Sequence, residues 1–263
     1  MSSESTGAEK AETTSLRDKV SKEEWECRTN LAAMFRYAAL RGWDDHLFTH
    51  MSARVPGTDG DFLLNPIGTL YEEITASSLQ RFNKQGEIQP PSTGRPNVFV
   101  LPMYVALFGA VPQVQCLIHL HAEAGIAVSM QPHGLLRSSQ YALLVGRIGY
   151  HEYEGIAMNR EELSRLGGLL VDHDCIILRG HGLLVRGGSI YEAFIRTHHL
   201  IKACEVQLAA QACGQPLYAM AKNALEVTER EARNINNPDL PLGQASWRAL
   251  MRRLDRIDPG YRD

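Results

Sequence analysis

Val114-Gln-Cys-Leu-Ile-His-Leu-His121 is the stretch from which the rest of this chain can be read. Val114–Ile118 is short and apolar, and it reads as a buried strand that delivers His119-Leu-His121 at its end. An i, i+2 spacing on a strand puts both imidazoles on one face, where two nitrogens can reach one metal ion at ~2.0–2.1 Å. That pair alone is equally compatible with two hydrogen-bonded core histidines, since a buried imidazole needs a partner of some kind. A second apolar run, Cys175-Ile-Ile-Leu178, leads into Arg179-Gly-His-Gly182. A histidine between two glycines at a strand end is poor core material and good ligand material, because backbone and ligand can approach closely there. His119, His121 and His181 are therefore the expected ligands of one divalent transition metal. Three protein ligands leave coordination positions open, as in catalytic sites. Zinc is the default, and Mn, Fe, Co and Ni also accept imidazole.

Working outward, Ser21-Lys-Glu-Glu24 reads as a capping box opening a helix that runs to about Arg41 and stops at Gly42. Extended segments are expected at Leu47–Val55, Asp61–Asn65 and Leu79–Phe82, with a hairpin turn at Lys84-Gln-Gly86. Gln89 to Pro96 reads as a loop. Phe99–Ala110 reads as a helix interrupted early by Pro102, and Tyr191–Ala212 as a long helix ended by Gly214. Strands and helices alternate without a linker, so one α/β domain over residues 21–233 is the simplest parse. Residues 1–20 read as a disordered leader. The Pro-, Asn- and Arg-rich tail, 234–263, is expected to pack on the domain or on a neighbouring subunit.

Composition narrows the function. With 263 residues, 44% hydrophobic, the chain can bury a sizeable core. A formal charge of −3 and a pI near 6.4 give no sign of a nucleic-acid or membrane partner. No stretch reaches the ~18 apolar residues of a membrane span. Five cysteines form no CxxC pair, and Cys116 and Cys175 lie in apolar runs as small buried hydrophobes. A reducing compartment, the cytoplasm, is the expected location.

The run Trp43-Asp-Asp-His-Leu-Phe-Thr-His-Met-Ser-Ala-Arg-Val-Pro56 resembles the N-terminal part of class II aldolase/adducin-type domains. Leu64-Asn-Pro-Ile-Gly68 and Glu73-Ile-Thr-Ala-Ser77 continue the likeness. So do Pro112, the HxH pair with Ala124-Gly-Ile-Ala-Val-Ser129, Arg179-Gly-His-Gly-Leu-Leu184 and Ala203-Cys-Glu-Val-Gln207, over about residues 22 to 215. The resemblance implies a three-layer α/β domain whose mostly antiparallel central sheet is flanked by helices. It also implies a homotetramer with sites at subunit contacts, and His119, His121 and His181 as metal ligands. By the same resemblance Asn65 and Gly68 contact substrate.

The likeness breaks at one place. Sugar-phosphate aldolases of this family carry an acid/base glutamate before the HxH pair. Counting back through Pro112 places it near Val100, and no carboxylate occurs from Ser92 to Gln113. Thr49-His50 replaces their Gly-Asn. Tyr104 and His50 are the nearest candidates to move a proton instead, against the plainer reading of Tyr104 as a helix residue packing on the sheet. His50 and Arg54 share a strand face and could hold a substrate carboxylate; a surface ion pair is the alternative. Glu123 could orient a ligand imidazole or simply open a helix. His198 and His199 serve a helix face or a subunit contact, and Gly187-Gly188 forms a turn. The expected function is a metal-dependent lyase, by aldol-type cleavage or decarboxylation, on a small non-phosphorylated hydroxy/keto or aromatic acid. The rival readings are a non-catalytic adducin-like scaffold and a dehydratase or oxygenase on the same fold.

Overall fold

The computed structural model describes residues 15–156, 159–234 and 241–263. Seven strands form one sheet in the order β3-β2-β1-β4-β7-β6-β5. They are β1 (His50–Arg54), β2 (Phe62–Leu64), β3 (Gln80–Phe82), β4 (Cys116–Leu120), β5 (Ile148–His151), β6 (Cys175–Leu178) and β7 (Gly182–Gly187). Only β5 and β6 pair in parallel; every other neighbouring pair is antiparallel. Alternation along each strand divides the core in two. Met51, Ile118, Leu120, Leu183 and Val185 face one helical layer, whereas Leu117, Leu184, Ile176 and Leu178 face the other.

The first layer holds α1 (Lys22–Leu40), α3 (Glu123–Ser129), α4 (Gln140–Leu144) and α6 (Ile190–Ala212). The second holds α2 (Leu101–Ala110) and α5 (Arg160–Asp172), packed on each other. Two further helices are α7 (Lys222–Asn234) and α8 (Gln244–Ile257). Local chemistry accounts for the helix starts. The hydroxyls of Ser21 and Ser189 accept the backbone N–H of Glu24 and Glu192 at 3.0 and 3.1 Å. No helix among the described residues is long and apolar enough to cross a membrane.

Several expected boundaries move. β1 begins at His50 rather than Leu47, because Asp45–Phe48 closes a turn through a 2.9 Å bond from the Phe48 N–H to the Asp45 carbonyl. Pro102 does not interrupt α2. It occupies the first turn, where its missing N–H costs nothing. The expected leader lies outside the described residues through Thr14, and its end, Leu16–Lys19, forms a 3-10 turn. Of the expected tail, the described residues 241–263 pack on this domain: Trp247 and Leu254 of α8 are buried in the first layer, and the Ala76 N–H donates to the Tyr261 carbonyl at 3.0 Å.

One polar knot fastens α1 to the sheet. Arg28 is fully buried; its Nε donates to Glu24 Oε1 at 2.8 Å and its Nη1 to the Leu79 carbonyl at 2.7 Å. Glu24 also pairs with Arg81, at 2.8 Å. Removing one partner from such a set strands a buried charge. We therefore expect Arg28→Met to cost about 3 kcal/mol, seen in urea titrations as a lowered midpoint at unchanged slope.

Candidate metal centre

Strand register builds the site. His50 of β1 lies directly opposite His119 of β4, and β4 continues against β7, pairing Leu120 with Leu183. The turn between β6 and β7 then hangs His181 over the same end of the sheet, where Leu178 pairs with Gly182. The rings of His119, His121 and His181 stand 4.9 Å apart in all three pairings. One nitrogen from each lies within 4.8 Å of the others.

Hydrogen bonds select which nitrogens face inward. His119 Nδ1 donates to the Leu183 carbonyl at 3.0 Å, and His121 Nδ1 lies 2.9 Å from Asp45 Oδ2. In the neutral rings both Nε2 atoms are then lone-pair acceptors, and they stand 3.1 Å from each other. Burial, with His50, His181 and His121 close by, holds His119 well below the usual histidine range, and burial together with His121 lowers His181 to about 4. Two ring nitrogens facing each other at that distance can share a cation. Bonds of ~2.0–2.1 Å to nitrogens at that separation subtend about 100°, an ordinary ligand–metal–ligand angle. The donor set fits a divalent transition metal, with outer partners that fix tautomer and orientation.

The remaining expected residues fall into two groups. His50 and Tyr104 come together: His50 Nδ1 lies 2.9 Å from Tyr104 Oη, and the His50 ring is 4.9 Å from that of His119. Both are buried, and burial lowers His50 to about 3 while raising Tyr104, so the imidazole is neutral and the phenol keeps its proton. Tyr104 also stacks on Phe108, so packing and polar contact coexist. Asn65 and Gly68 follow β2 at this same end of the sheet; Asn65 is buried, and its Oδ1 has no partner among the described residues. Arg54 does not join them. It shares the His50 face, but at the far end of β1, about 13 Å along the strand. Its guanidinium donates to the carbonyls of Val114 at 2.9 Å and Phe108 at 2.7 Å and covers the Phe108 ring. Glu123 stands exposed at the start of α3. His198 and His199 lie on α6, near Trp43 and Tyr141. Gly188 turns β7 into α6 through a bond from its N–H to Glu192.

Two features escaped the sequence reading. Asp45, 76 positions from His121, supplies the carboxylate that had been sought at Glu123; only the acidic pair beside Trp43 hinted at it. A second imidazole–carboxylate pair lies beside the site. His151 Nε2 is 3.1 Å from Glu162 Oε1, and both side chains are buried. Pairing of His151 with Leu178 puts it on the face that carries His121.

Comparisons with known proteins identify the family and the fold. Residues 29–208 match the class II aldolase and adducin N-terminal domain. A Pseudomonas aeruginosa protein, provisionally named as an aldolase class 2 protein, is 43% identical over 94% of this chain and 96% of its own length. Rat α-adducin is 36% identical over 89% of this chain, which spans 33% of that protein. Among solved structures, an aldolase II superfamily protein from Pseudomonas syringae superposes with a TM-score of 0.88 at 42% identity, covering 94% of this chain and 99% of that one. An L-fuculose 1-phosphate aldolase from Glaciozyma antarctica gives 0.75 at 25% identity, covering 92% and 93%.

Two expectations follow. Asp45→Asn keeps the shape but weakens the acceptor that orients His121, so zinc affinity should fall 10–100-fold in a chelator competition assay. The second concerns pH. His50 and His181 titrate near 3 and 4 in the folded chain against 6.5 in the unfolded one. Below pH 6.5 the unfolded chain thus takes up protons first. The melting temperature of metal-free protein should be flat above that pH and fall as pH drops toward 4. In His50→Phe the fall should be shallower.

Proposed function

This chain belongs to the family of class II aldolase and adducin N-terminal domains, and from that membership we propose that it is a metal-dependent carbon–carbon lyase. Its substrate would be a small hydroxy/keto or aromatic acid without a phosphate group. The convergence of three imidazoles, with the nitrogen roles of His119 and His121 set by Leu183 and Asp45, carries the reading. His119, His121 and His181 would hold the ion, zinc by default. When bound, it would act as a Lewis acid on a substrate oxygen beside the scissile bond and favour the developing enolate.

The chain's own residues supply the rest. Tyr104 and His50 are the proposed proton carriers. Their 2.9 Å contact orients the phenol against a neutral imidazole. Tyr104 lies one helical turn beyond Val100, so its side chain reaches back toward the place of the family's glutamate. Asn65 and Gly68 are proposed to contact substrate. Arg54, named with them from the sequence, is engaged with backbone carbonyls and stays outside this proposal. The exposed Phe48 and Phe99, on the segments leading into His50 and α2, suit an aromatic substrate or a subunit contact. We propose a homotetramer in the cytoplasm.

The missing carboxylate at position 100 and the likeness to α-adducin favour one rival, a binding domain without catalysis. One set of experiments separates the two. Elemental analysis should find close to one divalent ion per wild-type chain and much less in His121→Ala. A substrate panel should then show metal-dependent cleavage or decarboxylation of a keto or aromatic acid, and negligible cleavage of fuculose or ribulose phosphates. Tyr104→Phe should lower that turnover at least tenfold without changing metal content. Brisk turnover of a sugar phosphate would refute the substrate class, and a metal-free wild type that takes up no ion would refute the lyase.

A further inference from the structure

The three candidate ligands are not held in the same way. His119 and His121 are oriented through their rings, by the Leu183 carbonyl and the Asp45 carboxylate. Among the described residues no hydrogen bond orients the His181 ring. Its direction is set from the backbone of the β6–β7 turn.

That turn is fastened to the end of α3. The Gly180 N–H donates to Ser129 Oγ at 2.9 Å, and the Ser129 hydroxyl donates in turn to the Ile126 carbonyl at 2.7 Å. Arg179 Nη1 donates to the Ser129 and Gln131 carbonyls, at 2.8 and 2.7 Å. These carbonyls lie at the negative end of the α3 dipole, where a cation is stabilised. The guanidinium plane lies over the Tyr150 ring, 4.5 Å from its centroid, and the Arg179 N–H holds the His151 carbonyl at 2.9 Å. α3 begins two residues after His121. One short helix therefore runs from the second ligand to the turn bearing the third.

We propose that Ser129 and Arg179 are positioning residues that latch the third metal ligand to the second through α3, and so set the affinity of the metal centre. The latch stands in for the ring partner His181 lacks. Lysine cannot replace Arg179 fully, because a point ammonium neither bridges two carbonyls in a plane nor stacks on the tyrosine in the same way. The inference rests on the metal reading above, but needs no substrate to test.

The test uses the full chain and Co2+ as probe, with affinity read by chelator competition and ligand geometry by the visible absorption of the bound ion. Ser129→Ala and Arg179→Lys, two mild changes that spare the core, should each weaken Co2+ binding at least tenfold and alter the absorption bands. Leu254→Ala, a destabilising change in α8 remote from the turn, should leave both unchanged, which separates positioning from general loss of stability. Tight binding with wild-type spectra in both latch variants overturns the latch and leaves the metal reading standing. Failure of the wild-type chain to bind Co2+ overturns the metal reading and the latch with it.

Discussion

The antiparallel pairing of β4 with β1 on one side and β7 on the other is the constraint on which this molecule turns. It places His119 beside His50 and brings the turn bearing His181 over the HxH pair. A slip of one residue would send His119 to the opposite helical layer and point Ile118 and Leu120 at the site, because side chains alternate faces. Register is therefore enforced by the apolar residues and not by the histidines. Ile118, Leu120 and Leu183 are all but fully buried on one face, and Leu117 and Leu184 on the other. At ~1.5–3 kcal/mol for each buried aliphatic side chain, they can hold imidazoles in place against the cost of burying them.

That cost is visible in the titration behaviour of the cluster. Burial and mutual repulsion lower His50, His119 and His181 alike, so near neutral pH these rings carry no charge and their unprotonated nitrogens are free to accept. Asp45 is half exposed, and its negative charge faces the cluster without being deeply buried. The arrangement avoids an isolated buried carboxylate while still favouring a cation between the rings.

Much of this was legible in the chain itself, and the reasons for what was not are physical. β4 and β6 announced themselves as short apolar runs ending in histidine. That His119 and His121 share a face followed from their i, i+2 spacing on a strand, and His181 was marked by its flanking glycines; the structure brings the three together. β7 was hidden by its flanking glycines, read only as turn and ligand signals. Gly182 is glycine because a Cβ there would come within 2.5 Å of the Leu120 carbonyl oxygen, so the residue marks close strand approach next to His121. α5 was hidden similarly by Gly167-Gly168 inside a helical pattern. A Cβ on Gly167 would meet Ala110 of α2 at 2.8 Å, and the glycine lets the two helices pack closely. Asp45 left only the faint trace of an acidic pair beside Trp43, because its partner lies 76 positions away, and the His151–Glu162 pair joins a strand to the following helix with no motif to mark it.

The carboxylate missing near position 100 is best understood through what surrounds that place. Val100 caps α2 and packs, partly buried, against the second-layer core, where an unpaired carboxylate would be costly. Tyr104 can be buried there because its phenol keeps its proton and finds His50, while its ring packs on Phe108. A phenol held protonated is a poor base and a weak acid, but it is a ready hydrogen-bond donor. A neutral imidazole beside it can accept a proton, provided that another group stabilises the charge that forms. The buried carboxylate that the site does possess, Glu162, reaches it through His151, from α5. The titratable groups beside the cluster are thus Tyr104 of α2 with His50 of β1, and His151 of β5 with Glu162.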